Sequence, residues 1–589
     1  MLTTPSPEER RPSPEATSPS ARSRLPDGRS VELPSERLGG WLPRVLNTRD
    51  MTILCLFSVL LVSNVQLIAG AGGSAYIYWW LGFLCFLLPS ALICGQLYRL
   101  FPGEGAVYVW ANKAFGSFWD TFVGLFCNWF PGAIGLTIEA GAVVTSVQAL
   151  NANWLTVPWQ QGLAEILVLV IAQGLCQLGQ RRLMNILTWV FLAYISMIVL
   201  LGVAGLAWIA SGHAVQGDFS AQGWRVSAAN YPAFATVIVS LLGMAVPLNL
   251  GAEVMKQRTG GRYLRWGVII TVVGYLVATF GVLAVLPPKD IANPAFIAEI
   301  FGLSFGPVVG TFLGVLNNLI LIVYFVCATA AFNLIFARLL LVAGVDRRLP
   351  RVVQRLNRQR VPANAMLTQT VLNVVFVAIL FFVVPAFAPS NQGLSFVVFL
   401  VTINGASVIW NIAMIGLFLC GILLFVRYRR QLSGRWIVPP LVLYLAAGLG
   451  IFSSVVAIYS TFFAGSPVPQ ALGNGDWDYY VLLVVLGSLA VGAAYSFLVP
   501  EVEDLVALSR TQRSEHPGQR SGNDVHQETQ KEDSYAQQQH IVPPSSPRTT
   551  AFSGSVPTPQ NQPVPSELFA RTPRRSGSGS NSNLPGRMG

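Results

Sequence analysis

The chain is 589 residues long, 53% hydrophobic and 11% charged, with a mean hydropathy of +0.54. A soluble domain carries charge on about a quarter of its residues, so this composition excludes an ordinary water-soluble fold and makes lipid the natural solvent. The net charge of +11 does not indicate nucleic acid, because the basic residues lie in short clusters between apolar runs rather than in one patch.

Residues 1–50 are rich in Pro, Ser, Glu and Arg and lack the apolar core of a secretory leader. They are expected to form a disordered cytoplasmic tail. From residue 51 to 500 the chain is expected to be a membrane domain. A span needs roughly twenty apolar residues. Runs of that kind start near Thr52, Tyr76, Trp119, Gly162, Met184 and Pro232, then near Leu264, Pro307, Ala363, Ser395, Pro439 and Tyr479. The expected fold class is therefore an all-α integral membrane protein with twelve transmembrane helices. Residues 501–589 are Ser-, Gln- and Pro-rich with little apolar content, and are expected to be a second disordered cytoplasmic tail.

Loop charge tests this partition. With the N-terminus inside, alternate loops hold Arg99 and Lys113, then Arg181 and Arg182, then Lys256, Arg258, Arg262 and Arg265, and later Arg347, Arg348, Arg351, Arg427, Arg429 and Arg430. The intervening loops hold Arg225 and Lys289. That alternation matches the positive-inside rule. It predicts a multi-pass protein of the plasma membrane with both termini cytoplasmic. Aromatic clusters at the opposite ends, Tyr76 to Trp80 and Trp477 with Tyr479 and Tyr480, read as interfacial anchors.

Two runs are interrupted. In the first, Ser63, Asn64 and Gln66 offer the backbone local alternatives to helical bonding. In the sixth, Gly243 loosens the helix and Pro247 removes a donor. Either alone reads equally as a kink. Together, five runs apart, they match an inverted repeat of five helices around a solute site, since freed main-chain groups are tolerated only against a cavity.

Glu139 is an acidic residue deep in an apolar run, read either as a proton relay or as a neutral acid bonded to a neighbouring helix. Asn128, Asn317, Asn318 and Tyr324 either line a cavity or join helices. Glu165 and Glu253 fall near predicted helix ends, where solvation accounts for them. The seven cysteines lie in apolar runs without paired spacing or nearby histidines. Neither a disulfide framework, nor a metal site, nor a cofactor is expected.

Two stretches carry a resemblance. Phe86-Leu87-Leu88-Pro89-Ser90-Ala91-Leu92, then Phe101-Pro102-Gly103-Glu104-Gly105-Ala106-Val107-Tyr108-Val109-Trp110 and Ala114-Phe115-Gly116, form the first. The second runs through Ala337-Arg338-Leu339-Leu340 and Asp346-Arg347-Arg348-Leu349-Pro350 to Val361-Pro362-Ala363-Asn364-Ala365. With them, the chain from Thr52 to Phe497 resembles the amino acid–polyamine–organocation transporter superfamily, nearest the glutamate/gamma-aminobutyrate antiporters and related bacterial amino acid permeases.

The resemblance implies two inverted five-helix repeats followed by two further helices, alternating access, and substrate held by main-chain groups at broken helices 1 and 6. The matching positions here are Val62, Ser63, Asn64 and Val65 in the first helix and Leu242, Gly243 and Met244 in the sixth. Ala245 stands where many relatives carry an acid, Leu241 and Leu242 where an aromatic gate is common, and the fifth run has no basic residue at depth. Uniport, exchange and coupling through Glu139 all stay open.

The expected function is secondary transport of an amino acid or related amine, with a small-molecule substrate, membrane lipid and a coupling proton or ion as partners and no nucleic acid. The alternative is a transport-inactive sensor or scaffold. No repeated ring of carbonyls or charges marks a channel filter. No nucleophile–base pair, P-loop or dinucleotide motif marks an enzyme.

Overall fold

Each span begins where local chemistry lets a helix start. In the computed structural model, Asn47 caps the first helix: its Oδ1 accepts from the Asp50 amide at 3.0 Å, and Asp50 Oδ2 accepts from the Asn47 amide at 3.2 Å. Pro158, Pro232 and Pro307 stand at the first turns of three other helices, where a missing N–H costs nothing.

The structure describes residues 34–35, 38, 42–227, 230–256, 258–287, 290–291, 293, 295–387, 394–432, 434, 436–463 and 474–515. Among them are twelve helical stretches long and apolar enough to cross a membrane. Spans 1 to 6 are Thr48–Ala69, Ser74–Leu100, Ser117–Leu150, Pro158–Cys176, Gln180–Ala210 and Pro232–Asn249. Spans 7 to 12 are Thr259–Val285, Pro307–Val345, Ala363–Phe387, Val397–Arg427, Pro440–Phe462 and Asp476–Val499. Each starts within five residues of the run expected from the sequence. No strand is present among the described residues, only two isolated bridges, Leu46 with Val254 and Glu104 with Leu250. The chain is an all-α membrane protein.

Because the spans alternate in direction, their ends fall into two groups. One, the basic end, carries Arg99, Arg181, Arg182, Arg262, Arg265, Arg347, Arg348 and Arg427. At the other, Arg225 is the described Lys or Arg. The core packs spans 3 and 8 together, spans 5 and 7 together, and span 1 against spans 6 and 7.

The described residues up to Arg510 make one compact unit. The expected tails, 1–50 and 501–589, lie largely outside the described residues. Within the first, Leu38, Leu42 and Leu46 are buried in the core, and the last helix runs from Asn474 to Glu515. Part of the aromatic reading changes in three dimensions. Trp80, Tyr479 and Tyr480 are exposed, as anchors would be, but Tyr78, Trp79 and Trp477 are buried. Their helices turn those rings toward neighbouring spans instead of the surface.

Candidate functional site

Span 1 is two helices, Thr48–Val59 and Val62–Ala69, joined by extended residues Leu60 (φ −103°, ψ 88°) and Leu61 (φ −116°, ψ 114°). Such a break strands main-chain groups that have no water to turn to. Here three tyrosine hydroxyls meet them. Tyr275 donates to the Val59 carbonyl at 2.5 Å and accepts from the Leu61 amide at 3.2 Å. Tyr194 donates to the Leu60 carbonyl at 3.0 Å and accepts from the Val62 amide at 2.9 Å. Tyr324 donates to the same Leu60 carbonyl at 3.1 Å. The Tyr194 and Tyr324 rings stack with centroids 3.8 Å apart.

Span 6 changes character at the same depth. An α-helix over Pro232–Leu241 gives way to a 3₁₀ segment over Leu242–Asn249. Gly243 lies against span 1 so closely that a Cβ there would overlap the Ser58 main chain. Only glycine admits that approach.

A cavity of about 760 Å³ opens beside both breaks. Ser58, Asn64, Glu139, Ser240, Gly243 and Trp410 are among its lining residues. It extends toward the end opposite the basic loops, where Asn230, Pro232, Ser460, Thr461 and Trp477 line it. At its floor Phe332 packs on Phe336 (5.6 Å between centroids) and Phe336 on Trp410 (6.0 Å). Among the described residues, Glu139 is the one ionisable residue of the lining. It is 3% exposed, and its Oε2 lacks a hydrogen-bond partner. A second cavity of about 560 Å³ lies on the other side of the Val62–Ala69 helix, lined by Val62, Ser63, Gln66 and Asn318 among others.

The residues singled out in the sequence are thus divided. Asn64, Gly243 and Glu139 reach the larger cavity, and Val62 and Ser63 the smaller one. Val65, Leu242 and Met244 are buried, and Met244 Sδ accepts from Cys55 Sγ at 3.3 Å. Asn128 is buried and lines neither cavity. Tyr324 acts on the span 1 break rather than on the cavity wall. Sequence reading missed Tyr194, Tyr275 and Trp410. Their one signal is polar or aromatic character at mid-span, which is common in any membrane helix.

Two acids read as solvated are not. Glu165 is buried between spans and its Oε2 has no hydrogen-bond partner. Glu253 is fully buried at the basic end, where its Oε1 stands 2.5 Å from Arg338 Nη2. Position near a helix end does not ensure water when neighbouring loops fold over that end.

The same Arg338 forms an ion pair with Glu104, Nε to Oε1 at 3.2 Å. Glu104 Oε2 also accepts from the Ala252 amide at 3.0 Å, and Gln180 donates its side-chain amide to Glu253 Oε2. Burial is the main cause holding the Glu104 carboxyl well above its ordinary range, and the neighbouring Glu253 charge adds to it. Arg338 and the Ala252 amide oppose the shift. Burial likewise raises Glu253, against Arg338 and Gln180.

Comparison with known proteins gives one family and two relatives. The family described as amino acid permease matches residues 51–489. An uncharacterized transporter of Legionella pneumophila is 22% identical over 350 residues, covering 57% of this chain and 74% of the relative. A probable agmatine/putrescine antiporter of Lactococcus lactis is 22% identical over 298 residues, 46% of this chain and 58% of the relative.

Proposed function

Because the chain belongs to the amino acid permease family, we propose that it is a secondary transporter moving an amino acid or a related amine by alternating access through the cavity between spans 1 and 6. The observation that carries this reading is the junction itself. Both broken spans and one buried, unpartnered carboxyl, Glu139, converge on a cavity that opens to one end of the bundle and is floored toward the other.

A primary ammonium group finds in this cavity the Glu139 carboxyl and the hydroxyl and amide oxygens of Ser58, Asn64 and Ser240. Cationic groups enter such a site favourably, because its described lining holds no competing Lys or Arg. We take the basic end as cytoplasmic from its arginines. The cavity then faces outward and the floor is the closed inner side. The site residues proposed are Asn64, Gly243 and Glu139 at the larger cavity, with Val62 and Ser63 at the smaller one. The tyrosine trio holds the break in shape. A smaller ligand is also consistent with Glu139, namely a coupling proton.

The test is counterflow in proteoliposomes, using labelled amino acids and amines in turn. One chemical group should exchange, and Glu139→Gln, which removes the ionisable group of the cavity lining, should weaken or remove the exchange while the protein still purifies folded. Binding without exchange across the whole panel would point to a sensor. Neither binding nor exchange by folded protein would overturn the reading.

A further inference from the structure

Below the aromatic floor, the basic end is closed by a charge cluster that the cavity does not use. Arg338, two residues past Phe336 on span 8, is fully buried between Glu104, in the loop after span 2, and Glu253, in the segment after span 6. All three side chains have no exposure to solvent. The segments around them are knitted by main-chain bonds. The Gly105 amide donates to the Asn249 carbonyl at 3.0 Å, the Leu46 amide to the Glu253 carbonyl at 3.1 Å, and the Met255 amide to the Leu46 carbonyl at 2.9 Å. These strips come from before span 1, after span 2 and after span 6. They must part if the basic end is ever to open.

Charge is unbalanced here: two carboxyls face one guanidinium. Among the described residues, the other groups around the cluster do not correct the balance. Gln180 at the start of span 5 is a neutral donor, and Tyr98 of span 2 and Cys176 of span 4 are uncharged neighbours. Arg44 of the N-terminal segment is exposed, and Arg181 bonds Asp50 at 3.5 Å. Burying a net negative charge away from water is unfavourable unless a proton removes it.

We infer that Glu104, Arg338 and Glu253 form a proton-binding gate, in which the closed basic end takes up one proton and opening to water releases it. Glu104 carries the proton, since the guanidinium stands closer to Glu253, 2.5 Å from its Oε1 against 3.2 Å from that of Glu104.

The sign follows from linkage. The closed state binds the proton more tightly than the open one, so acid favours closure. Closure is fully favoured below the ordinary glutamate range and weakens as pH rises through the raised value. Each unit between the two values changes the closed-to-open ratio by about tenfold. The site lies beneath the floor on the basic side, distinct from Glu139. Nothing in this inference depends on which solute the cavity takes.

The experiment is hydrogen–deuterium exchange of the full-length protein in nanodiscs, with rates corrected for intrinsic pH dependence, at about pH 5.5 and about pH 8 (a span chosen to bracket the shift of a buried carboxyl). In wild type, peptides covering 42–47 and 249–256 should be protected at least about tenfold more at the lower pH. Glu104→Gln, a neutral copy of the protonated acid, should be protected at both. Glu139→Gln should keep the wild-type dependence. A pH-independent wild type, or a Glu104→Gln protein as pH-sensitive as wild type, would overturn the inference. Loss of the dependence in Glu139→Gln would assign the proton to the cavity instead and overturn it too. If Glu104→Gln does not fold, Glu253→Gln serves, and the wild-type comparison alone still decides.

Discussion

Tyr194 and Tyr324 both donate to the Leu60 carbonyl, yet they are not equivalent. Tyr194 also accepts from the Val62 amide, so removing its hydroxyl orphans a buried N–H. Removing Tyr324's leaves Leu60 with one partner and strands nothing. Tyr194→Phe should therefore cost about 1–3 kcal/mol and Tyr324→Phe only about 0.5–1.5 kcal/mol. Thermal unfolding in one detergent would show the order directly, and a reversed order would remove the tyrosines from their assigned role at the break. These residues also mark the limit of sequence reading. Asn64 and Gly243 were legible because polar and glycine residues are out of place in an apolar run. A tyrosine at mid-span is not, and its use depends on spans 5, 7 and 8 converging on two carbonyls of span 1.

At the scale of elements, the breaks in spans 1 and 6 and the count of twelve were legible, because length, hydropathy and proline act locally. Arg338 was not recognised as a partner of Glu253, although it sits within an apolar 39-residue helix. A charge in such a run demands a counter-charge, but sequence cannot say which of several loop acids folds over it. The N-terminal strip shows the same dependence. Leu46 belongs to a segment expected to be disordered, and the structure ties it to the far side of span 6 through two main-chain bonds. Leu46→Pro removes the donor to the Glu253 carbonyl, whereas Leu46→Met keeps both donor and bulk. The first should raise exchange of residues 249–256 by about fivefold or more, as loss of about 1 kcal/mol implies, and the second should not. Equal behaviour of the two would mean that the strip only packs there.

For the whole molecule, the buried acids of the basic end set a pH dependence of stability. Both Glu104 and Glu253 are raised in the folded protein. A raised carboxyl favours the fold while protonated, so this contribution is complete below the ordinary glutamate range and is lost as pH rises through the raised values. Apparent melting temperature should fall from about pH 5 toward about pH 8, and Glu104→Gln should flatten that slope. A wild-type profile that rises over the same interval would mean the acids stay ionised in the fold, with Arg338 outweighing their burial.

The aromatic floor of Phe332, Phe336 and Trp410 has an electrical consequence. A thread of water through the bundle would short-circuit the bilayer, since ions and protons follow such threads. Such a thread would have to cross three rings and then a charge cluster whose side chains have no exposure to solvent. The membrane can therefore hold many copies of this protein without discharging the ion gradients its other machinery lives on.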